Sequence, residues 1–304
     1  AAWWRSRRFP ASWLQPQDVV AGGLLALATV GFFWRLVKGE AFMPADGGDM
    51  VSFLLPIYRF AQESLRQGIL PLWNPYLYGG APFVGDPQSA LFYPPNFITW
   101  LLSSPLTFRS LEMLSLCHIW WTALGMFVYL RNHFSRLSAI LGALAFMFSD
   151  LFLVHFGNLN LIAVASWFPW AFWAFERARQ GRRWQWAVMA GIFLGVGTLA
   201  GHPQVSLFMG LALAVDGVIV VMLADQPQQT AQDVVGLLAL TALVASGLAA
   251  VALLPALELS QHTERAAWRY GETVAYSLSP AQLIGLLVRG FFGRSPHFEW
   301  GLWP

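Results

Sequence analysis

The sequence predicts an all-α polytopic membrane protein. Hydrophobic residues make up 57% of it, charged residues only 11%, and the mean hydropathy is +0.52. Soluble domains carry about 25% charged residues. Apolar stretches of the roughly 20 residues a bilayer-crossing helix needs recur along the chain. The formal charge of +2, with no block of like charges, excludes a nucleic-acid-binding stripe. Cys117, the single cysteine, lies in an apolar run and allows neither an internal disulfide nor a cysteine-based metal cluster.

The first span is expected over 18–37. Arg5, Arg7 and Arg8 precede it, and the run is span-length without a small-residue cleavage pattern, so it reads as an uncleaved transmembrane helix. Further spans are expected at 106–130, 137–152, 159–175, 184–200, 205–224 and 234–257, with an eighth starting near Gln282. The glycines of AGIFLGVGTLAG space the fifth span for close helix packing. Residues 1–304 read as one membrane domain. With no initiator Met and an end at Trp303-Pro304, the sequence reads as part of a longer protein.

Lys and Arg in short connections set orientation. Arg131 and Arg136 separate the second and third spans, and Arg177, Arg179, Arg182 and Arg183 the fourth and fifth. The alternate connections, 154–158 and 201–204, carry none. This alternation places the N-terminus in the cytoplasm and two large loops, 39–94 and 258–280, outside. Eight of the sixteen acidic side chains then fall on the outer side or near it, where ATP and nucleotide sugars are absent. The sequence also has no Gly-rich phosphate fingerprint.

The loop over 39–94 holds the most chemistry. Val51, Leu54, Leu55, Tyr58, Ala61 and Leu65 recur at helical spacing, with Ser52, Arg59, Gln62, Glu63 and Arg66 on the other face. The pattern predicts an amphipathic helix lying on the membrane surface, bent at Pro56 and ended by Gly68. Asp49, preceded by Gly47 and Gly48, stands where an N-cap belongs. It reads either as a cap or as a catalytic base or metal ligand held at a helix start. Asp46, three residues earlier, can share a hard divalent cation such as Mg or Mn with it. PLWNPYLYGGAP follows, and its Trp73, Tyr76 and Tyr78 suit membrane-surface packing or an aromatic wall for a sugar or a lipid headgroup.

GGDMVSFLLPIYRF and then GILPLWNPYLYGGAPFVGDPQSALFYPPNF resemble the YfhO-like bacterial membrane proteins. GHPQ, the LLPALELSQHTERAAWRYGETVAYSLSPAQLIGLL segment and the closing FFGRSPHFEWG extend the resemblance over most of residues 46–301. It implies a GT-C-like glycosyltransferase module of about seven to eight spans in the bacterial cytoplasmic membrane, with a long first outer loop carrying surface helices and an acidic catalytic residue. Where the family's loop presents that residue, this sequence has Asp49, with Asp46 alongside. The donor implied is a polyprenyl-phosphate-linked sugar. Members are usually longer.

On that reading Asp49 takes a proton from the acceptor hydroxyl. The leaving phosphate needs cationic or hydrogen-bonding partners, for which Arg265, Arg269 and His202 are the candidates, with Trp73 and Asn74 beside the sugar. The arginines equally suit lipid headgroups, and His202 before Pro203 reads first as completing a turn. Asp216 in the sixth span is expected to bond a neighbouring helix rather than act. Glu112, His118 and His133 form no metal site. Two other classes compete: a non-catalytic structural subunit of a larger membrane complex, and a transporter, which predicts paired broken helices.

Overall fold

The computed structural model describes residues 15–43, 48–180, 183–274, 277, 279–288, 291, 293–294 and 298–299. Its segments follow the apolar pattern of the sequence. α1 (Pro16–Phe32) continues through a turn at Phe33 into α2 (Trp34–Lys38), which ends on Gly39 in the left-handed conformation. After the first loop come α3 (Leu55–Arg66) and α4 (Pro94–Leu102). Then follow α5 (Phe108–Arg131), α6 (Arg136–Met147) and α7 (Asp150–Val154), α8 (Leu159–Ala165) and α9 (Phe168–Arg179), α10 (Trp184–Thr198), α11 (Pro203–Met222) and α12 (Pro227–Gln261). Among the described residues, four stretches are long and apolar enough to cross a membrane: Phe108–Arg131, Arg136–Val154, Pro203–Met222 and Pro227–Gln261. The chain divides into two compact units, Ala1–Leu257 and Glu258–Pro304.

The structure differs from expectation at several of the expected spans: the first, 18–37, turns at Phe33, and the fifth, α10, is a helix of 15 residues, shorter than a crossing needs. The fourth span is two helices, broken at Ser166–Trp167 because Pro169 sits in the first turn of α9, where its missing N–H needs no partner. The third span likewise turns at Phe148–Ser149 between α6 and α7. Among the described residues no long helix starts near Gln282: α13 (Tyr270–Thr273) and α14 (Ile284–Leu287) are single turns, and the chain extends at Val288.

α5 is the central post. Half of its apolar window is buried, against 17% for α12, whose surface is left mostly outward. α10 approaches α12 closely through its glycines. A Cβ on Gly191 would lie 2.7 Å from the Thr241 carbonyl, and one on Gly195 would lie 3.0 Å from that of Ala245. Small residues at such crossings let backbones approach as packing in lipid requires.

Polar side chains tie the two ends of the α1–α11 bundle. At the Arg131 end of α5, Asp18 bridges Arg131 (3.3 Å) and Arg136 (2.9 Å), and Glu176 meets His133 at 2.9 Å. Asp216 bonds a neighbouring helix as expected, pairing with Arg179 at 2.6 Å. At the other end, Arg109 donates to the Leu36 and Val37 carbonyls that end α2, and the Met43 amide donates to Glu112.

The first loop is clamped to the bundle by a buried hydrogen-bond chain. Trp167 Nε1 donates to the Tyr93 hydroxyl (2.8 Å), and Tyr93 donates to His118 Nε2 (2.7 Å). His118 Nδ1–H then donates to the Leu114 carbonyl (2.7 Å), which fixes the tautomer. Tyr93→Phe leaves the Trp167 and His118 nitrogens without their partner in a buried setting. We expect it to cost about 2–4 kcal/mol of stability, read as a lowered unfolding midpoint in detergent. An unchanged midpoint would mean that the chain is not holding the loop.

Candidate functional site

The site begins where the first loop meets the short connections 154–158 and 201–204. Gly48 has φ 144° and touches Gly157: a Cβ there would lie 2.6 Å from the Gly157 carbonyl carbon. The Met50 amide donates to the Gly157 carbonyl (3.0 Å), so the helix start is tied to that connection rather than to its own cap. Met50–Leu54 then forms a π-helical turn that leads into α3, with Pro56 in the first turn of α3. The expected bend at Pro56 is therefore a change of helical pitch just before it, where the ring costs no hydrogen bond.

α3 does not lie on a lipid surface by its apolar face. Ile57, Tyr58 and Ala61 are at most 3% exposed, packed into the protein core with Phe83, Leu91 and Trp100. Gln62 secures the same face: its amide nitrogen donates to the Trp100 and Ser103 carbonyls, and its oxygen accepts from the Leu106 amide. Periodicity showed that one face is apolar; it did not show that protein covers it. Gly68, with φ 73°, ends the helix as expected.

Asp49 stands at the head of this segment, exposed, and its side chain makes no capping hydrogen bond. The capping alternative is thus not the one realised. Its Oδ2 accepts instead from Asn158 Nδ2 across 3.4 Å, a long contact that leaves the other oxygen available to a substrate proton. Asn158 shares a turn with His155, its amide donating to the His155 carbonyl (2.8 Å). His155 in turn neighbours His202 electrostatically.

His202 starts α11 with Pro203 behind it. Burial lowers its pKa, and His155 lowers it further. At neutral pH it is therefore an uncharged hydrogen-bonding group, not a cation. Between that lowered value and the ordinary 6.5, the unfolded chain binds a proton at His202 that the folded chain does not. Stability contributed by this residue is full above about pH 6.5 and is lost as pH falls through that window. Unfolding midpoints of wild type and His202→Gln, compared between about pH 5 and 7, should diverge in slope, with the variant flatter. Parallel curves would contradict this.

The preceding residue, Gly201 (φ 94°), presses on a second X-Pro-Gln corner. There Asp86 Oδ1 accepts from the Gln88 amide (2.9 Å) and caps the 3-10 turn Pro87–Ser89. Asn160 links the two corners to α3, accepting from the Tyr58 hydroxyl (2.7 Å) and donating to the Gln88 carbonyl (2.9 Å). Burial raises the pKa of Asp86, and burial raises that of Tyr58 above its ordinary value, so both favour their protonated forms more than free side chains do.

The other expected site residues divide. Asp46 lies outside the described residues. Arg265 lies in the 3-10 turn Glu264–Ala267 of the second unit, and its side chain is outside what is described. Arg269 precedes α13 in that unit, exposed, its amide donating to Glu272 (2.7 Å). Trp73 and Asn74 form β1, paired antiparallel with β2 (Ala81–Pro82). Asn74 is buried and accepts from the Tyr76 amide (3.0 Å), which makes it a turn former rather than a ligand. Trp73 covers Gly80 with its indole. Among the described residues no three His, Cys, Asp or Glu side chains gather as a metal site.

Sequence reasoning gave no site role to Asn158, Asn160, His155 or Asp86, the last two read only as polar groups on the outer side. GDPQS did carry a signal: Asp before Pro is an N-cap followed by Pro at N1. No protein-family model, curated protein or solved structure matches the chain.

Proposed function

We propose that this chain is an integral-membrane glycosyltransferase-like protein of YfhO-like, GT-C type in the bacterial cytoplasmic membrane. On this reading the Asp49 face is extracytoplasmic and transfers sugar from a polyprenyl-phosphate donor to an outer acceptor. The observation that carries the reading is the state of Asp49: a carboxylate at a helix start, exposed, not spent as a cap, and steadied by Asn158. An acceptor hydroxyl gives its proton to Asp49 while its oxygen forms the new bond to the anomeric carbon. The bond from that carbon to the phosphate oxygen breaks, and polyprenyl phosphate leaves with the electron pair. Neutral His202 and the Asn158 amide supply hydrogen bonds to the leaving oxygens. A divalent cation would be held at Asp49 with Asp46.

Proteoliposomes containing the chain, incubated with labelled polyprenyl-phosphate sugars and a hydroxyl acceptor, should release polyprenyl phosphate and label the acceptor. If folded protein leaves every donor intact, the structural-subunit reading replaces this one. That reading has its own support in Trp73, Tyr76 and Tyr78, which are 56%, 84% and 89% exposed, aromatic surface of the kind a partner covers. The transporter reading ranks last. α8 and α9 are a broken pair, but Ser166 at the break donates to its own Ala163 carbonyl (2.7 Å), and Asp216 is held by Arg179.

A further inference from the structure

A groove with a volume of about 270 Å³ opens between α1 and α6, beside the Asp18–Arg131–Arg136 cluster. Gln17, Val20, Ala21 and Leu24 line it from α1, at the i, i+3, i+4, i+7 spacing of one helix face, and Arg136 and Ile140 line it from α6. The buried methyl of Ala21 forms its floor, and its smallness makes the room. Val20 and Leu24 are exposed at its walls, continuous with exposed Leu27 on α1 and Leu137 and Leu141 on α6. These residues belong to helices whose outward faces meet acyl chains when the chain is in a bilayer.

The groove is apolar along its length and charged at one end. There two guanidinium groups, Arg131 and Arg136, face the single carboxylate of Asp18, leaving one positive charge in excess. Arg136 uses three of its five N–H groups, on Asp18, Gln17 and Gln15, and keeps one on each terminal nitrogen. An elongated apolar slot capped by a cation with spare donors matches an acyl chain joined to a phosphate.

The geometry points to a binding site for an anionic phospholipid in this groove, its acyl chain along Val20, Ala21 and Leu24 and its headgroup phosphate at Arg136. The site is independent of sugar transfer. It is tested by reconstituting the chain in nanodiscs of equal phosphatidylglycerol and phosphatidylcholine, releasing it, and counting retained lipids by native mass spectrometry. Wild type should retain phosphatidylglycerol over phosphatidylcholine about five-fold. Val20→Trp, which fills the slot from an exposed position, should abolish retention of both. Arg136→Gln should keep a lipid but lose the preference. Because Arg136→Gln also removes an Asp18 contact, Val20→Trp carries the decision. Equal retention of the two lipids by wild type, phosphatidylglycerol held as well by Val20→Trp, or displacement by millimolar inorganic phosphate alone would each overturn the assignment.

Discussion

Asp49→Asn is expected to lower sugar transfer by about 10²–10⁴-fold, the range lost with a general base. The fold should be untouched. The amide keeps the size of the carboxylate and an oxygen that accepts from Asn158, and no capping bond is lost because none is made. An exposed substitution of this kind changes stability by less than about 0.5 kcal/mol. The loss should fall on kcat, since the base acts on a proton that moves only in the transition state. Full activity in the variant would remove Asp49 from the chemistry.

Gly201→Ala should be the most damaging small change to the site. The new Cβ would sit 2.3 Å from the Pro87 carbonyl oxygen and 2.8 Å from Asn160 Nδ2, at a φ of +94° that a side chain rarely adopts. Neither neighbour can yield alone. The Pro87 carbonyl accepts from the Ala90 amide (3.0 Å), and Asn160 Nδ2 donates to the Gln88 carbonyl. Strain and overpacking together put the cost at about 2–5 kcal/mol. Gly210→Ala, in the same α11, is the control: nothing lies within 4 Å, and helix propensity favours Ala by about 1 kcal/mol. Thermal unfolding should fall sharply for the first variant and hold or rise for the second. Equal midpoints would mean that the corner formed by Gly201 and Pro87 does not hold the loop.

The helices were legible because hydropathy and span length are properties of contiguous residues. α5, α11 and α12 follow directly from their apolar runs. The break at Ser166–Trp167 was missed because averaging over a window hides a single Pro169 among Trp and Phe neighbours. In the first loop, helical spacing identified α3 and Gly68 its end. What covers α3 depends on residues far along the chain, such as Ala163 and Leu159 in the same core. Asp49 was identifiable as a helix start. Its actual partner, Asn158, is 109 positions away in a short uncharged connection that carries no local signal of chemistry.

The most direct test of the account is a structure of the chain in lipid nanodiscs with a polyprenyl-phosphate sugar bound. The sugar should lie beside Asp49, with the phosphate within hydrogen-bonding reach of Asn158 and His202. Donor density elsewhere in the protein, with Asp49 facing only solvent or a partner chain, would contradict it.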